Sequence, residues 1–256
     1  MSWASRRRFI IGAIVITVIL AFLALISIAV FYKAPSCSDN IQNQGEAGID
    51  CGGPCPYLCT DQEEPPTVLF TQALPNTDSG RTDVVASVEN KNLDAAARNV
   101  PYSIVLYGTD QSLIGNVTGT IDLPPGATQP IYVPGVAFGK QIPANAFLEI
   151  ASSAPEWFHL PTDPRIVPTV SNTALGGTVS APRIQALLTN PSVTSLSNVQ
   201  VIVFVKDAQG NVIAASQTVT TVPPQGTATA IFTWNTAFPG TPVSIEVAPL
   251  VPLPSS

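Results

Sequence analysis

One uninterrupted apolar segment near the N-terminus constrains this chain more than any other feature. Residues 9–32 read FIIGAIVITVILAFLALISIAVFY and contain neither a charged residue nor a proline. As a helix with a rise of about 1.5 Å per residue, they would extend roughly 36 Å, enough to cross a hydrocarbon core about 30 Å thick. The segment therefore predicts a transmembrane helix surrounded by the lipid bilayer.

The charges beside this segment predict its orientation. Arg6, Arg7 and Arg8 precede it, and the single Lys33 follows it directly. Because basic flanks stay on the cytoplasmic side, we expect residues 1–8 to be cytoplasmic and the chain after the helix to be extracytoplasmic. The expected location is thus the cell membrane, with a single pass.

A cleavable signal peptide is the main alternative, because an arginine-rich start and an apolar run are common to both. The run is longer than the roughly 7 to 15 residues of a signal-peptide core, and no clean small-x-small cleavage site follows it. The sequence therefore favours a signal anchor that is retained.

The composition beyond the helix favours β-structure with an acidic surface. The 25 prolines and the short runs of Val, Thr and Ile are typical of strands and turns. Without Arg6–Arg8 and Lys33, 7 basic residues remain against 17 acidic ones, a net charge of about −10. Such a surface repels nucleic acid, and no cluster of Lys or Arg offsets it, so we expect no nucleic-acid partner.

All four cysteines lie in one segment directly after the apolar run, at Cys37, Cys51, Cys55 and Cys59. Outside the cytosol, four cysteines this close together are most simply two disulfides, which restrain a segment too short to form its own core. The spacing leaves all three pairings open. Zinc held by four thiolates is an alternative, although the usual two-residue ligand spacings are missing. We expect a cysteine-rich stalk over residues 33–66.

The same segment contains oxygen ligands that suit calcium. These are Asp39, Asn43, Glu46 and Asp50, spaced three or four residues apart within a glycine-containing loop. Calcium prefers several carboxylate and amide oxygens in a flexible cage, although this pattern is not an EF-hand. The alternative is that these residues are solvated turn formers, in which case the chain needs no cofactor.

The cysteine segment resembles a short motif, C…DGxxNxGExGxDCGGxC, found in many exported bacterial proteins. The similarity covers Cys37 to Cys59 and departs from the commonest form at Asn40, where the motif often has glycine. The resemblance implies an extracellular module and no particular activity.

After the acidic joint at Asp61–Pro66, the chain reads as two copies of one unit. NVPYSIVLYGTDQSLIG from Asn99 aligns with NVQVIVFVKDAQGNVIA from Asn198, and LPPGAT from Leu123 aligns with VPPQGTAT from Val222. Short strands separated by turns at this spacing predict antiparallel sandwiches over residues 67–160 and 169–250.

One strand of the second copy is apolar on both faces. Val199, Val201, Val203 and Val205 share one face, and Gln200, Ile202, Phe204 and Lys206 share the other. This pattern predicts a central strand. The DAQGN sequence at 207–211 then predicts a hairpin turn in which Gly210 takes a positive φ.

IVLYGTDQSLIG followed by the LPPG turn resembles the FxLYD-type and related immunoglobulin-like domains of exported prokaryotic proteins. The second copy departs from it with FVKDAQGNVIA, and fibronectin type III domains are near neighbours. The resemblance implies cell-surface display, adhesion or assembly. The expected fold class is mainly β, with two tandem antiparallel immunoglobulin- or fibronectin-III-like sandwiches after one N-terminal transmembrane helix.

Two proline-rich segments border the second copy. Three prolines in 161–168 predict a stiff linker that sets the copies end to end. The tail from Pro249, including residues 251–256, is expected to be an unstructured end.

The sequence offers little for catalysis. His159 is the only histidine, and the chain lacks a G-x-S-x-G elbow, an H-E-x-x-H pair and a Walker-type glycine loop. Glu149 and Glu156 read as surface carboxylates, and Trp157 with Phe158 reads as a domain-edge cluster in preference to a sugar-stacking platform. We expect no enzyme.

The sequence thus predicts a single-pass surface protein that displays two domains to another protein or a surface glycan. An accessory subunit of an envelope or secretion complex is one alternative. A calcium-dependent adhesin that uses the cysteine-rich loop is the other.

Overall fold

The structure is a computed structural model that describes residues 3–31, 36–76, 79–139, 141, 143–151 and 155–254. Tyr32 and Lys33, which end and flank the expected membrane segment, lie outside the described residues. The chain divides into two compact units, Met1–Cys55 and Pro56–Ser256.

The N-terminal unit contains one long helix, α1 (Trp3–Phe31). Its span Arg6–Ile28 has a mean hydropathy of 3.2, and none of its most apolar window is buried by protein. Among the described residues, it is the one helix long and apolar enough to cross a membrane. A helix that satisfies its own backbone hydrogen bonds is the form that such a segment takes in lipid. The prediction of a single N-terminal apolar helix is confirmed.

The C-terminal unit consists of strands, with one short 3-10 helix at Thr60–Gln62 before them. The strands are β1 (Thr67–Asn76), β2 (Arg81–Glu89), β3 (Ala95–Gly108), β4 (Leu113–Leu123), β5 (Thr128–Phe138), β6 (Pro143–Ile150), β7 (Trp157–His159), β8 (Thr169–Thr178), β9 (Ala181–Thr189), β10 (Leu196–Lys206), β11 (Val212–Val222), β12 (Thr227–Thr233) and β13 (Ser244–Leu250). All pairings between these strands are antiparallel. The prediction of a mainly β chain after one helix is confirmed.

Strands β1–β7 form the first sandwich, called sandwich 1 hereafter. One sheet has the order β1-β2-β5 and the other has β4-β3-β6, with β7 beside the start of β3. Val84 of β2, Ile104 of β3 and Leu123 of β4 are completely buried between the sheets. Alternation along each strand sends these side chains inward, as expected for a two-layer sandwich.

Strands β8–β13 form sandwich 2, with sheets β8-β9-β12 and β11-β10-β13. Ile184, Val201 and Phe232 lie in its core. Strand β10 lies between β11 and β13, so the prediction of a central strand is confirmed. The turn at 207–211 is also as predicted, since Gly210 has φ 83° and the Asp207 carboxylate accepts backbone N–H bonds from Gln209 and Asn211.

A buried asparagine closes the same corner in both sandwiches. Asn90 and Asn190 are each 1% exposed, and each Nδ2 donates to three carbonyl oxygens. The acceptors are Ala95, Leu123 and Pro124 in sandwich 1, and Thr194, Val222 and Pro223 in sandwich 2. The side-chain oxygen of each asparagine accepts the N–H of the residue two positions later. These bonds tie the Pro-Pro turn to the loop after the second strand of each sandwich.

The two sandwiches pack face to face, so the expectation of an end-to-end arrangement is wrong. The outer face of β1-β2-β5 contacts the outer face of β11-β10-β13 through a third apolar cluster. Phe70 meets Phe204 edge to face, with 6.2 Å between ring centroids, and Gln72 Nε2 donates to Val212 O at 2.8 Å. Burial of an outer sheet face with several large apolar residues stabilises this arrangement by more free energy than the linker's preference for an extended conformation opposes it.

The C-terminal segment is packed, which corrects the expectation of an unstructured end over its described part. Leu253 is 6% exposed, and its backbone N–H donates to the Asp122 carboxylate of β4 at 2.8 Å. Arg165 from the proline-rich linker donates to Val251 O at 2.7 Å and is held bidentately by Asp163. The linker and the tail therefore hold each other against the sandwiches.

Candidate functional site

The cysteine segment is oxidised, as the sequence predicts. Cys37 is bonded to Cys55, Cys51 and Cys59 are also in disulfides, and no cysteine is free. Cys55 is almost fully buried. Zinc binding by four thiolates is excluded, because a sulfur in a disulfide carries no charge with which to bind the metal.

All four predicted calcium ligands lie in one hydrogen-bonded loop. The Asp50 carboxylate accepts the N–H groups of Asp39 and Asn40 at 2.9 and 2.8 Å. Asp39 Oδ2 accepts Asn43 Nδ2 at 2.9 Å, and Glu46 Oε2 accepts the N–H of Asn43 at 3.2 Å. The loop thus positions Asp39, Asn43, Glu46 and Asp50 through bonds between their own side chains and backbone. Sequence spacing alone could not show that backbone donors already occupy these carboxylates.

Two features of this loop bear on cation binding. Asn43 Oδ1 is buried and has no hydrogen-bond donor among the described residues. Glu46, only 6% exposed, also places Oε1 3.1 Å from the Cys55 sulfur, which has no proton to donate because it is in a disulfide. An unpaired buried amide oxygen is costly unless water or a cation satisfies it.

The grouping of Cys37, Glu46 and Cys55 has the compactness of a metal site, since its ligand atoms lie within 4.8 Å of one another. The two sulfurs are bonded to each other, however, so the Glu46 carboxylate is the one charged ligand that this grouping supplies. Any metal at this loop would have to use oxygen ligands.

The residues considered for catalysis do not converge. His159 lies in β7, half exposed, with Nδ1 3.8 Å from the Asp94 carboxylate. Glu149 and Glu156 are both exposed. Trp157 is 2% exposed and belongs to the core of sandwich 1, so its ring offers no stacking surface. Phe158 lies under the Arg98 guanidinium, whose Cζ is 3.9 Å from the ring centroid.

Sequence reasoning did not identify the contact between the sandwiches, although a signal was present. Ile202 and Phe204 form a second apolar face on β10, and Val85 lies on the outer face of β2. A central strand of a two-layer sandwich has one face in the core, so its position within the sheet leaves the second apolar face unexplained. The apolar outer face of β10 is explained by sandwich 1.

The pKa shifts in this unit arise from burial and from hydrogen bonds. Desolvation and the nearby Asp83 carboxylate raise the pKa of the Tyr132 phenol, which donates to Asp83 Oδ2 at 2.8 Å. Desolvation also raises the pKa of Tyr102. Burial opposes ionisation of Asp163, but its bonds from Arg165 prevail and lower the pKa of that carboxyl. These shifts accompany structural contacts and do not form an acid–base pair.

No protein-family model matches this chain. A search of curated proteins also finds no match.

Three solved structures show partial likeness. The red sea bream transglutaminase has a TM-score of 0.22 and 13% identity, over 72% of this chain and 29% of that one. A putative beta-galactosidase from Bacteroides fragilis has a TM-score of 0.20 and 13% identity, over 85% of this chain and 39% of that one. A beta-glucuronidase from glycoside hydrolase family 2 has a TM-score of 0.21 and 12% identity, over 82% of this chain and 26% of that one. This chain therefore spans well under half of those chains, and scores this low carry no argument about fold or function.

Proposed function

We propose that this chain is a single-pass, membrane-anchored, extracytoplasmic binding protein that is not an enzyme. The observation that carries the proposal is the order of two features. An apolar helix with no buried window, α1, is followed directly by a segment whose cysteines are all oxidised. The helix requires lipid, and disulfides persist in oxidising compartments.

We further propose that the exported part is a tandem pair of immunoglobulin-like domains for binding or assembly. Its support is the shared pairing order of the two sandwiches together with the equivalent networks of Asn90 and Asn190. The buried face that the two sandwiches share favours their presentation as one packed unit.

A dual-tag experiment tests this topology. One epitope is placed before Met1 and a different one after Ser256, and antibodies are applied to cells with an exposed plasma membrane. The proposal predicts C-terminal staining without permeabilisation and N-terminal staining only after it. The reverse pattern contradicts the orientation. Absence of the N-terminal tag from the mature, membrane-free protein would show a cleaved signal peptide instead of an anchor.

Calcium binding by the cysteine loop is a second candidate. The observation that favours it is the buried, unpaired Oδ1 of Asn43, a residue whose Nδ2 and backbone N–H donate to the carboxylates of Asp39 and Glu46. Titration calorimetry of the full chain with calcium chloride, and melting with and without calcium, tests this candidate. Asn43→Ala should abolish both the heat and the stabilisation, whereas the control Asn145→Ala, at an exposed position of β6, should change neither. No heat with the unmodified chain removes calcium from the account.

A further inference from the structure

A cavity of about 320 Å³ lies where the two sandwiches and the C-terminal segment meet. Its wall includes Tyr102, Gln129 and Asp122 of sandwich 1, Asn198 and Gln200 of sandwich 2, and Pro252 of the tail. The volume is at the lower end of the roughly 300–1,000 Å³ of small-molecule sites, which often form at domain interfaces.

The charged groups of this cavity already have hydrogen-bond partners within the protein. Arg165 is paired bidentately with Asp163 and also donates to Val251 O. The two oxygens of Asp122 accept the backbone N–H groups of Asn99 and Leu253, at 2.9 and 2.8 Å. An anionic ligand would therefore meet no unpaired positive charge, and desolvating it would cost free energy without compensation.

The uncommitted polar groups of the cavity are neutral. Within the described part of the chain, the side-chain amides of Asn99, Gln129 and Asn198 and the hydroxyl of Tyr102 have no hydrogen-bond partner. Amides and phenols both donate and accept, so together they match a ligand that presents several hydroxyl groups.

The cavity also has apolar wall, contributed by Ile121, Ile131 and Ile202 among others. A pyranose ring presents C–H groups on its faces and hydroxyl groups at its rim, so it can contact both kinds of wall. We propose that this cavity binds a short neutral saccharide. The inference rests on the binding role proposed above and names its ligand class, but it does not depend on the orientation in the membrane.

Two wall residues make a clean test possible. Asn99 and Asn198 occupy the left-handed region, with φ of 48° and 54°, which glycine adopts without steric cost. Asn99→Gly and Asn198→Gly together should remove both amides and leave the backbone conformation in place. Asn172→Gly is the matched control, because Asn172 has φ 50° on β8 and does not line the cavity.

The full chain is reconstituted in phosphatidylcholine nanodiscs, since maltoside detergents would themselves supply sugar. Saturation-transfer NMR and calorimetry are run with maltose, cellobiose, N,N′-diacetylchitobiose and an anionic heparin disaccharide. The proposal predicts binding of at least one neutral disaccharide and not of the anionic one. The double glycine variant should weaken that binding about tenfold, and Asn172→Gly should not.

Three results would overturn the proposal: no neutral disaccharide binds, the anionic disaccharide binds equally well, or the double variant binds as tightly as the control. None of these bears on the tag accessibility that tests membrane orientation, so failure of the ligand class and failure of the topology are distinguishable.

Discussion

Sandwich 1 and sandwich 2 share a pairing order but bury opposite outer sheets against each other. Sandwich 1 contributes β1-β2-β5, and sandwich 2 contributes β11-β10-β13. The residues on the outer faces of the equivalent strands β10 and β3 differ accordingly. Ile202 and Phe204 of β10 occupy the positions that Ser103 and Val105 hold in β3, 99 residues earlier. Equal topology thus constrains the inward faces, whereas the outward faces are free to specialise.

We expect a substitution at the interface between the two sandwiches to have the largest effect on the free energy of unfolding. Phe204→Ala removes a 3%-exposed ring that packs on Phe70, and we expect a loss of about 3–5 kcal/mol in unfolding free energy. Val105→Ala, at the equivalent position of sandwich 1, should cost less than about 1.5 kcal/mol. Urea unfolding of the full chain measures both.

The fluorescence of Trp157 in sandwich 1 and Trp234 in sandwich 2, each isolated by Trp→Phe changes elsewhere, shows whether the sandwiches unfold together. We expect coincident transitions in the unmodified chain and separate ones in Phe204→Ala. Equal costs of the Phe204 and Val105 variants would contradict the assigned interface.

The asparagine networks should behave alike in the two sandwiches. Asn90→Ala leaves three buried carbonyl oxygens without their donor, and Asn190→Ala leaves one buried and two partly buried ones, so each should cost about 2–3 kcal/mol in unfolding free energy. The exposed Asn145→Ala serves as the control and should change stability by less than about 0.5 kcal/mol. A large effect in only one sandwich would argue that the two corners are not equivalent.

We expect the smallest effect from the linker and tail, which Arg165 joins through its bonds to Asp163 and Val251. Because the pKa of Asp163 is lower in the folded chain, its contribution is present above the unfolded pKa of about 3.9 and is lost as pH falls through the folded value. Asp163→Asn should therefore flatten the acid side of the stability profile by less than about 1 kcal/mol, because the carboxylate is partly solvated. Asp61→Asn, at an exposed position, should leave the profile unchanged.

The elements that could be predicted from sequence depend on local information. Helix α1 follows from an unbroken apolar run, and the turn at Gly210 follows from the residues that form it. The face-to-face contact and the docking of Leu253 depend on segments far apart in the chain, such as Val85 with Ile202 and Asp122 with Leu253. Alternation indicates that a face is apolar, but it does not indicate which surface covers it.

The cysteine loop shows the same division. Its oxidised state and the grouping of Asp39, Asn43, Glu46 and Asp50 could be predicted because they lie within one short segment. The pairing of Cys37 with Cys55 and the unpaired Asn43 Oδ1 depend on the path of the backbone, which has left-handed residues at Asn40, Gln44 and Asp50. Spacing carries no information on that path.

The central claim is that everything after α1 lies outside the cytoplasm in an oxidising environment, and thiol trapping in intact cells tests it most directly. A membrane-impermeant PEG-maleimide is applied before and after an impermeant reductant, and the mass shift of the chain is read on a gel. The account predicts no shift before reduction and up to four added groups after it, at Cys37, Cys51, Cys55 and Cys59. Free thiols that react only after permeabilisation, without any reductant, would contradict it.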